Sequence, residues 1–390
     1  MRAYFQEFKD FFRKGDMVLL LLCLVTTAFG CLVIASTTNT MGSVRYVLLQ
    51  IVGALIGVFL FAAVSSIDAD FFSEHRTLLV IFNTALLLML IPFGVTVNGN
   101  RSWLSFSFLP FNIQVAEICK IAYILITASV MASHQNRISA VPSVMHTVLH
   151  LGLVAGLNMV LSKDAGVSLI FVFIFAGMAF AGGVNLIWFL VAGGGIIVGW
   201  PILWNYGLTS FQRNRIEVLF NPNLDPQGIG ARYHTVRSLR SLTGGGLTGQ
   251  GLFQGNRTQT PEALFAQHTD YIFSAIGEEL GYLGCAFVLI LLFLIIARCI
   301  WVGNRSQDYM RRLICFGAAA ALIFQVISNV GMCIGITPVI GLTLPFISYG
   351  GSSIVSLYAM LGLVSGVYAR PAPASHERYI RPPLSAMRNY

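Results

Sequence analysis

Charge is what this 390-residue sequence has least of: Asp, Glu, Lys and Arg make up 10% of it, against 56% hydrophobic residues. A soluble domain carries about 25% charged residues because its surface faces water, so a water-soluble globule is excluded. Sustained apolar–polar alternation is missing too, which argues against a membrane β-barrel. The seven cysteines (Cys23, Cys31, Cys119, Cys285, Cys299, Cys315, Cys333) are odd in number, show no CxxC spacing and lie in or beside apolar stretches. They read as thiols packing like small hydrophobes, not as a zinc site or a disulfide framework. The first apolar block lacks a small-residue cleavage site and is followed by others, so it reads as a retained span. The net charge of +8 comes with no soluble domain and no aromatic-basic motif. Nucleic acid is therefore set aside, and membrane lipids with anionic headgroups are the partner this charge favours.

What is present is long apolar blocks of about twenty residues, the helix length that crosses about 30 Å of hydrocarbon. Ten are read, at 17–36, 45–66, 77–97, 112–132, 143–161, 165–183, 185–206, 271–299, 311–334 and 346–368. They predict an all-α polytopic membrane protein of about ten transmembrane helices. Orientation follows from Lys and Arg in short loops, which stay in the cytoplasm. Arg2, Lys9, Arg13 and Lys14 precede the first block, and Arg137 follows the fourth. Arg305, Arg311 and Arg312 follow the eighth, and Arg370, Arg378, Arg381 and Arg388 end the chain. Ten spans put all of these on one side, so both ends are predicted inside. The organisation is then a cytoplasmic N-terminus (1–16), a single membrane domain (17–368) and a basic cytoplasmic tail (369–390). One long extracellular loop (207–270) joins the seventh and eighth spans.

That loop breaks the charge rule, with Arg213, Arg215, Arg232, Arg237, Arg240 and Arg257 and no lysine. Long loops are exempt from the rule, yet the arginines still need a reason. A guanidinium grips phosphate oxygens through two parallel hydrogen bonds and keeps its proton, which suits a lipid-linked phosphate or pyrophosphate beside the bilayer. Ion pairs with Glu217, Asp225 and Glu262 are the competing reading. Gly244, Gly245, Gly246, Gly249, Gly251 and Gly255 follow; they permit a backbone phosphate cradle and equally a flexible hairpin.

Ionisable residues at membrane depth are expensive. Glu117 and Lys120, at i and i+3 of the fourth span, share a helix face and can pair, as a structural clamp or facing a substrate. Lys163 and Asp164 sit at a short outer turn, where Asp164 can cap the sixth span. The segment Gln267-His268-Thr269-Asp270-Tyr271 delivers an imidazole and a carboxylate to the outer surface, with Glu278 and Glu279 two turns deeper. Asp270 can serve as a helix cap; beside arginines it is also the right group to take a proton from a sugar hydroxyl.

These motifs carry a resemblance. RNRIEVLFNP, SLTGGGLTGQGLFQG and QHTDYIFSAIGEELG lie between Arg213 and Gly281, and NVGMCIGITPVIGLTLPFISYGGSS spans 329–353. NGNRSWL (98–104) and QVAEICK (114–120) precede them. Together they resemble the SEDS family (shape, elongation, division and sporulation proteins, including RodA, FtsW and SpoVE) along nearly the whole chain. The resemblance implies a peptidoglycan glycosyltransferase of ten spans, with both ends cytoplasmic, in the bacterial cell membrane. It would polymerise lipid II for elongation, division or sporulation. A class B penicillin-binding protein is the implied partner.

Carried over by motif, the essential outer aspartate falls on Asp270, the aromatic of the NG-x-x-RW block on Trp103, and the buried acid–base pair on Glu117 and Lys120. Asp270 would deprotonate the acceptor sugar hydroxyl as an undecaprenyl pyrophosphate leaves. Arg101, Arg213 and Arg215 would hold the pyrophosphate, with Trp103 and His268 lining the substrate. No dedicated metal ligand cluster is read. A divalent cation, Mg or Mn, could ride on the pyrophosphate. Departures from the family pattern are Val115-Ala116 before the glutamate, Lys163-Asp164-Ala165-Gly166 at the outer turn, and Tyr233-His234-Thr235-Val236-Arg237-Ser238 in the loop. The Gly251–Gly255 spacing, the HTD spelling and NVGM lean toward RodA. Two rival readings of the same residues are a lipid II flippase and a non-catalytic scaffold.

Overall fold

Lipid leaves the backbone no partner but itself, and the long apolar blocks answer by coiling. The computed structural model describes residues 14–42, 44–97, 100–106 and 111–370. The predicted cytoplasmic residues before Lys14 and the tail beyond Arg370 lie outside the described residues, as does the Asn98-Gly99 pair of the upstream block. The helices are α1 (Met17–Thr37), α2 (Arg45–Ser66), α3 (Arg76–Leu88), α4 (Val115–Ser133), α5 (Val141–Ser162) and α6 (Ala165–Ala181). They continue with α7 (Leu186–Ile202), α8 (Ser210–Phe220), α9 (Tyr233–Gly244), α10 (Ile272–Arg305), α11 (Tyr309–Cys333) and α12 (Gly351–Ala369). Among the described residues nine helical stretches are long and apolar enough to cross a membrane, and α6 is a shorter apolar helix of 17 residues. These coincide with the ten blocks read from the sequence.

α4 and α12 are the buried heart of the bundle, whereas α7 has no buried residue. α12 lies close against α2 because glycines face side chains there. A Cβ on Gly57 would meet Tyr358, and one on Gly362 would meet the backbone of Phe61. Small residues are how apolar helices approach each other without a hydrophobic drive.

Both described ends meet at one end of the bundle. Asp16 accepts two hydrogen bonds from Arg298, at 2.8 and 3.0 Å, and its N–H donates to Ser365. Arg370 donates to the carbonyls of Ser65 and Ile67. Arg311 is not a loop charge in water: it is 1% exposed and reaches Asp68 and Asp70 at 2.7 and 2.6 Å. A buried cation persists only with such partners.

The opposite end departs from the block reading. The third block ends early, and residues 94–114 hold a small antiparallel sheet, β1 (Gly94–Val97), β2 (Asn100–Leu104) and β3 (Ile113–Gln114). Trp103 is on the central strand, opposite Val95 and Gln114. The long loop carries α8, fixed by a Thr209–Gln212 capping box, and α9.

The glycine run is neither cradle nor loose hairpin. α10 breaks at Gly281 (φ 66°), which orphans carbonyls and N–H groups on either side. The glycine loop satisfies them. Gln250 and Gly251 donate to the carbonyls of Glu278 and Glu279 at 2.9 and 3.0 Å, while Tyr282 donates to Gly246 at 3.0 Å. A Cβ on Gly249 would lie 2.1 Å from the Glu279 carbonyl oxygen. Only glycine fits this joint. Glu278 accepts from the N–H groups of Arg257 and Thr258, and Glu279 from Ser36, Thr258 and Gln259. These two deep carboxylates therefore pin the loop to the bundle.

Candidate active site

The site lies where the loop enters α10, at the end of the bundle assigned to the outside by charge. Residues 268–270 are fastened to α11 and to the segment between α11 and α12. Tyr349 donates to the His268 carbonyl at 2.8 Å, Ser348 to the Thr269 carbonyl at 2.6 Å, and Asn329 to the Asp270 carbonyl at 2.9 Å. The Asn329 amide also donates to Leu342 at 2.7 Å. The backbone carbonyl of Asp270 is thus held by α11 while its side chain stays half-buried, and a Cβ on Gly341 would come within 3.7 Å of Oδ2. Positive φ at Glu262, Ala266 and Phe346 marks strained backbone around this junction.

Burial dominates the electrostatics. It pushes the Asp270 carboxyl from 3.8 up to about 6, assisted by the negative charge of Asp164 and opposed by Arg215. Arg215 comes from α8, donates to the Val339 carbonyl at 2.9 Å, and feels Tyr271 and Asp270. Burial likewise raises Asp164 above the ordinary carboxylate range, opposed by the backbone N–H groups of Val167 and Gly166. Asp164 does cap α6, accepting from Val167 at 3.1 Å. Its second role, as the like charge beside Asp270, was missed in the sequence. The only signal was its place in the outer-turn motif.

The remaining sequence candidates occupy three places. Arg101 donates to the carbonyls of Gly94 and Ile91 at 3.0 and 2.7 Å, and Arg213 to those of Leu208 and Asn205 at 3.1 and 2.8 Å. Each guanidinium therefore ties off the outer end of a span, spending two of its five donors there. His268 stands on the α2 side, its ring 4.9 Å from Tyr46 and 5.9 Å from Tyr349. Burial lowers its pKa, so it is neutral at pH 7.

Glu117 and Lys120 pair at 3.0 Å, with Ser356 donating to the other Glu117 oxygen. This ties α4 to α12 within the bundle. Removing one partner of a buried pair strands the other charge, at about 3–5 kcal/mol. Glu117→Gln is expected to lower the thermal midpoint in detergent markedly, and Glu117→Gln combined with Lys120→Met to regain most of the loss. Equal midpoints for single and double variants would show that the pair is not coupled.

Among the described residues no three His, Cys, Asp or Glu converge as a metal-holding group. Asp164 and Asp270, with Arg215 beside them, supply too few ligands for a resident ion. They fit an ion that arrives bound to a substrate's own phosphate oxygens.

The chain matches the FtsW/RodA/SpoVE family, described as "Cell cycle protein", over residues 16–371. It is 32% identical over 358 residues to the peptidoglycan glycosyltransferase MrdB of Escherichia coli K12, covering 90% of this chain and 93% of that one. With a probable peptidoglycan glycosyltransferase FtsW of Trichlorobacter lovleyi it shares 31% identity over 376 residues, covering 91% and 94%. A solved chain from a peptidoglycan synthase complex that coordinates polymerization and crosslinking superposes with a TM-score of 0.77 at 26% identity, covering 92% of this chain and 99% of that one. The Thermus thermophilus rod shape determining protein RodA shares the fold, with a TM-score of 0.66 at 24% identity, covering 92% and 98%.

Proposed function

The chain belongs to the FtsW/RodA/SpoVE family, and from that premise and the geometry around Asp270 we propose that it polymerises lipid II into glycan strands at the outer membrane face. It is a multi-pass protein of the bacterial cytoplasmic membrane and a peptidoglycan glycosyltransferase. The observation that carries the mechanism is a half-buried carboxylate whose pKa is pushed up to about 6 between Asp164 and Arg215. A general base works best with a pKa near the working pH.

Asp270, as carboxylate, takes the proton from the acceptor sugar's 4-hydroxyl. That oxygen bonds to the anomeric carbon of the donor sugar, and the bond from that carbon to the pyrophosphate oxygen breaks. The electron pair leaves with undecaprenyl pyrophosphate. Arg215, the cation whose charge acts on Asp270, meets the charge growing on the leaving group. Arg101 and Arg213, braced at span ends, offer their remaining donors at the rim, with Trp103 and His268 lining the substrate. A Mg or Mn ion carried by the pyrophosphate would meet Asp164 and Asp270, adding positive charge to the leaving group. The partner is a class B penicillin-binding protein that crosslinks the product, and residues 1–16 and 369–390 face the cytoplasm.

Detergent-solubilised protein has no membrane sides, so it separates polymerisation from lipid flipping. Incubated with lipid II, the purified chain with its partner is expected to yield a ladder of glycan polymer on a gel. Unchanged lipid II would refute the reading.

A further inference from the structure

Resting on the polymerase reading, we propose that His234 and Tyr271 complete, with Arg215, an anion subsite beside Asp270 that takes the phosphate oxygens of the lipid-linked sugar pyrophosphate. The placement begins with Ser238 on α9. Its hydroxyl shares a hydrogen bond with Ser274 of α10 at 2.5 Å and donates to the Cys333 carbonyl of α11 at 2.6 Å. Three helices are joined at one atom. His234 lies one turn earlier, so it occupies the same face of α9 and looks onto the start of α10. Its ring centroid is 4.9 Å from Phe265 and 6.0 Å from Tyr271.

Two polar atoms in this corner have no hydrogen-bond partner although both are buried: Nδ1 of His234 and the hydroxyl of Tyr271, a residue only 1% exposed. Buried polar atoms in folded proteins are bonded in about nine cases of ten. Two neighbouring exceptions beside a reacting carboxylate mark a place for ligand atoms.

The surrounding charge states the ligand's class. Arg215 acts on His234, Tyr271 and Asp270, and Arg237 acts on His234. The Arg237 guanidinium is fixed over Tyr233 at 4.1 Å and donates to the carbonyls of Glu262 and Ala263. Burial, then Arg215 and Arg237, hold the His234 pKa below its ordinary value, so the imidazole is a neutral donor at pH 7. A phenol, an imidazole and a guanidinium together offer donors to an anion.

The test uses the full chain in detergent, with inorganic pyrophosphate as probe and inorganic phosphate as a second arm, binding being read by calorimetry. Pyrophosphate is expected to bind more tightly than phosphate. Losing a hydrogen bond to a charged ligand weakens binding about tenfold or more, so Tyr271→Phe and His234→Leu should each show that loss. His234→Gln, which keeps a neutral donor, should regain part of it. With lipid II, the same variants should raise KM more than they lower kcat. Equal pyrophosphate affinity in wild type and both variants, as expected if the corner holds only water, overturns the subsite, as does absence of binding to wild type. Failure of the polymerase reading is separately visible, as pyrophosphate binding without polymer.

Discussion

Asp270→Asn abolishes glycan polymerisation and at the same time makes the folded protein more stable. The first half follows from general-base catalysis, which contributes about 10²- to 10⁴-fold; an amide cannot take the proton. The second follows from the raised pKa. A carboxyl at 3.8 when unfolded and about 6 when folded binds its proton more tightly in the folded state. Its cost is therefore absent below the unfolded value, grows as pH rises through this window and is fully present at pH 7. Two units correspond to about 3 kcal/mol, and partial exposure trims that figure. The Asn side chain carries no charge to desolvate, while the Asp270 carbonyl keeps its bond from Asn329. The variant should therefore melt several degrees higher at pH 7, with the gap closing at pH 4.5. Thermal scans at both pH values and a lipid II polymerisation gel check the two halves. A variant that is inactive and melts lower would make Asp270 a structural residue, and an active one would remove it from the chemistry.

The elements legible in the sequence were those set by local rules. Ten apolar blocks became ten helices because lipid leaves no alternative backbone structure. The Glu117–Lys120 pair was legible because it is three residues apart on one helix. Asp270 was legible through its motif and its position at a helix start. What the sequence concealed was set by contacts between distant segments. Asp164 and Asp270 belong to different loops, and no periodicity announces that the 338–341 segment brings them together. The glycine run was ambiguous because its partner is the break at Gly281, visible only once α10 is built. Six loop arginines looked alike on paper. Folding ties Arg213, Arg215, Arg237 and Arg257 all to carbonyls, and of these Arg215 is the one whose charge also acts on the Asp270 carboxylate. His234 was noted as a departure, but its neighbours Tyr271 and Phe265 were not foreseeable.

The pH profile is the sharpest reading of that convergence. Asp270 acts as carboxylate, so kcat/KM should fall about tenfold per pH unit below about 6, not below 4 as for an ordinary aspartate. The charged groups that act on it are Asp164 at the start of α6 and Arg215 on α8, and Asp270 in turn acts on Tyr271 and on Cys333 at the end of α11. Asp164→Asn removes the like charge, stabilising the Asp270 carboxylate, so the acid limb moves to lower pH. Asn caps helices about as well as Asp, so α6 should keep its start. At pH 5 the variant is expected to lose less activity than wild type, relative to each one's plateau, by about threefold or more. Arg215→Gln removes the attractive charge, and the limb moves to higher pH while the plateau drops with the loss of a leaving-group contact. Opposite shifts in the two variants require that both charges act on one titrating group. If Asp164→Asn lowered the plateau and left the limb in place, Asp164 would serve only as the cap of α6.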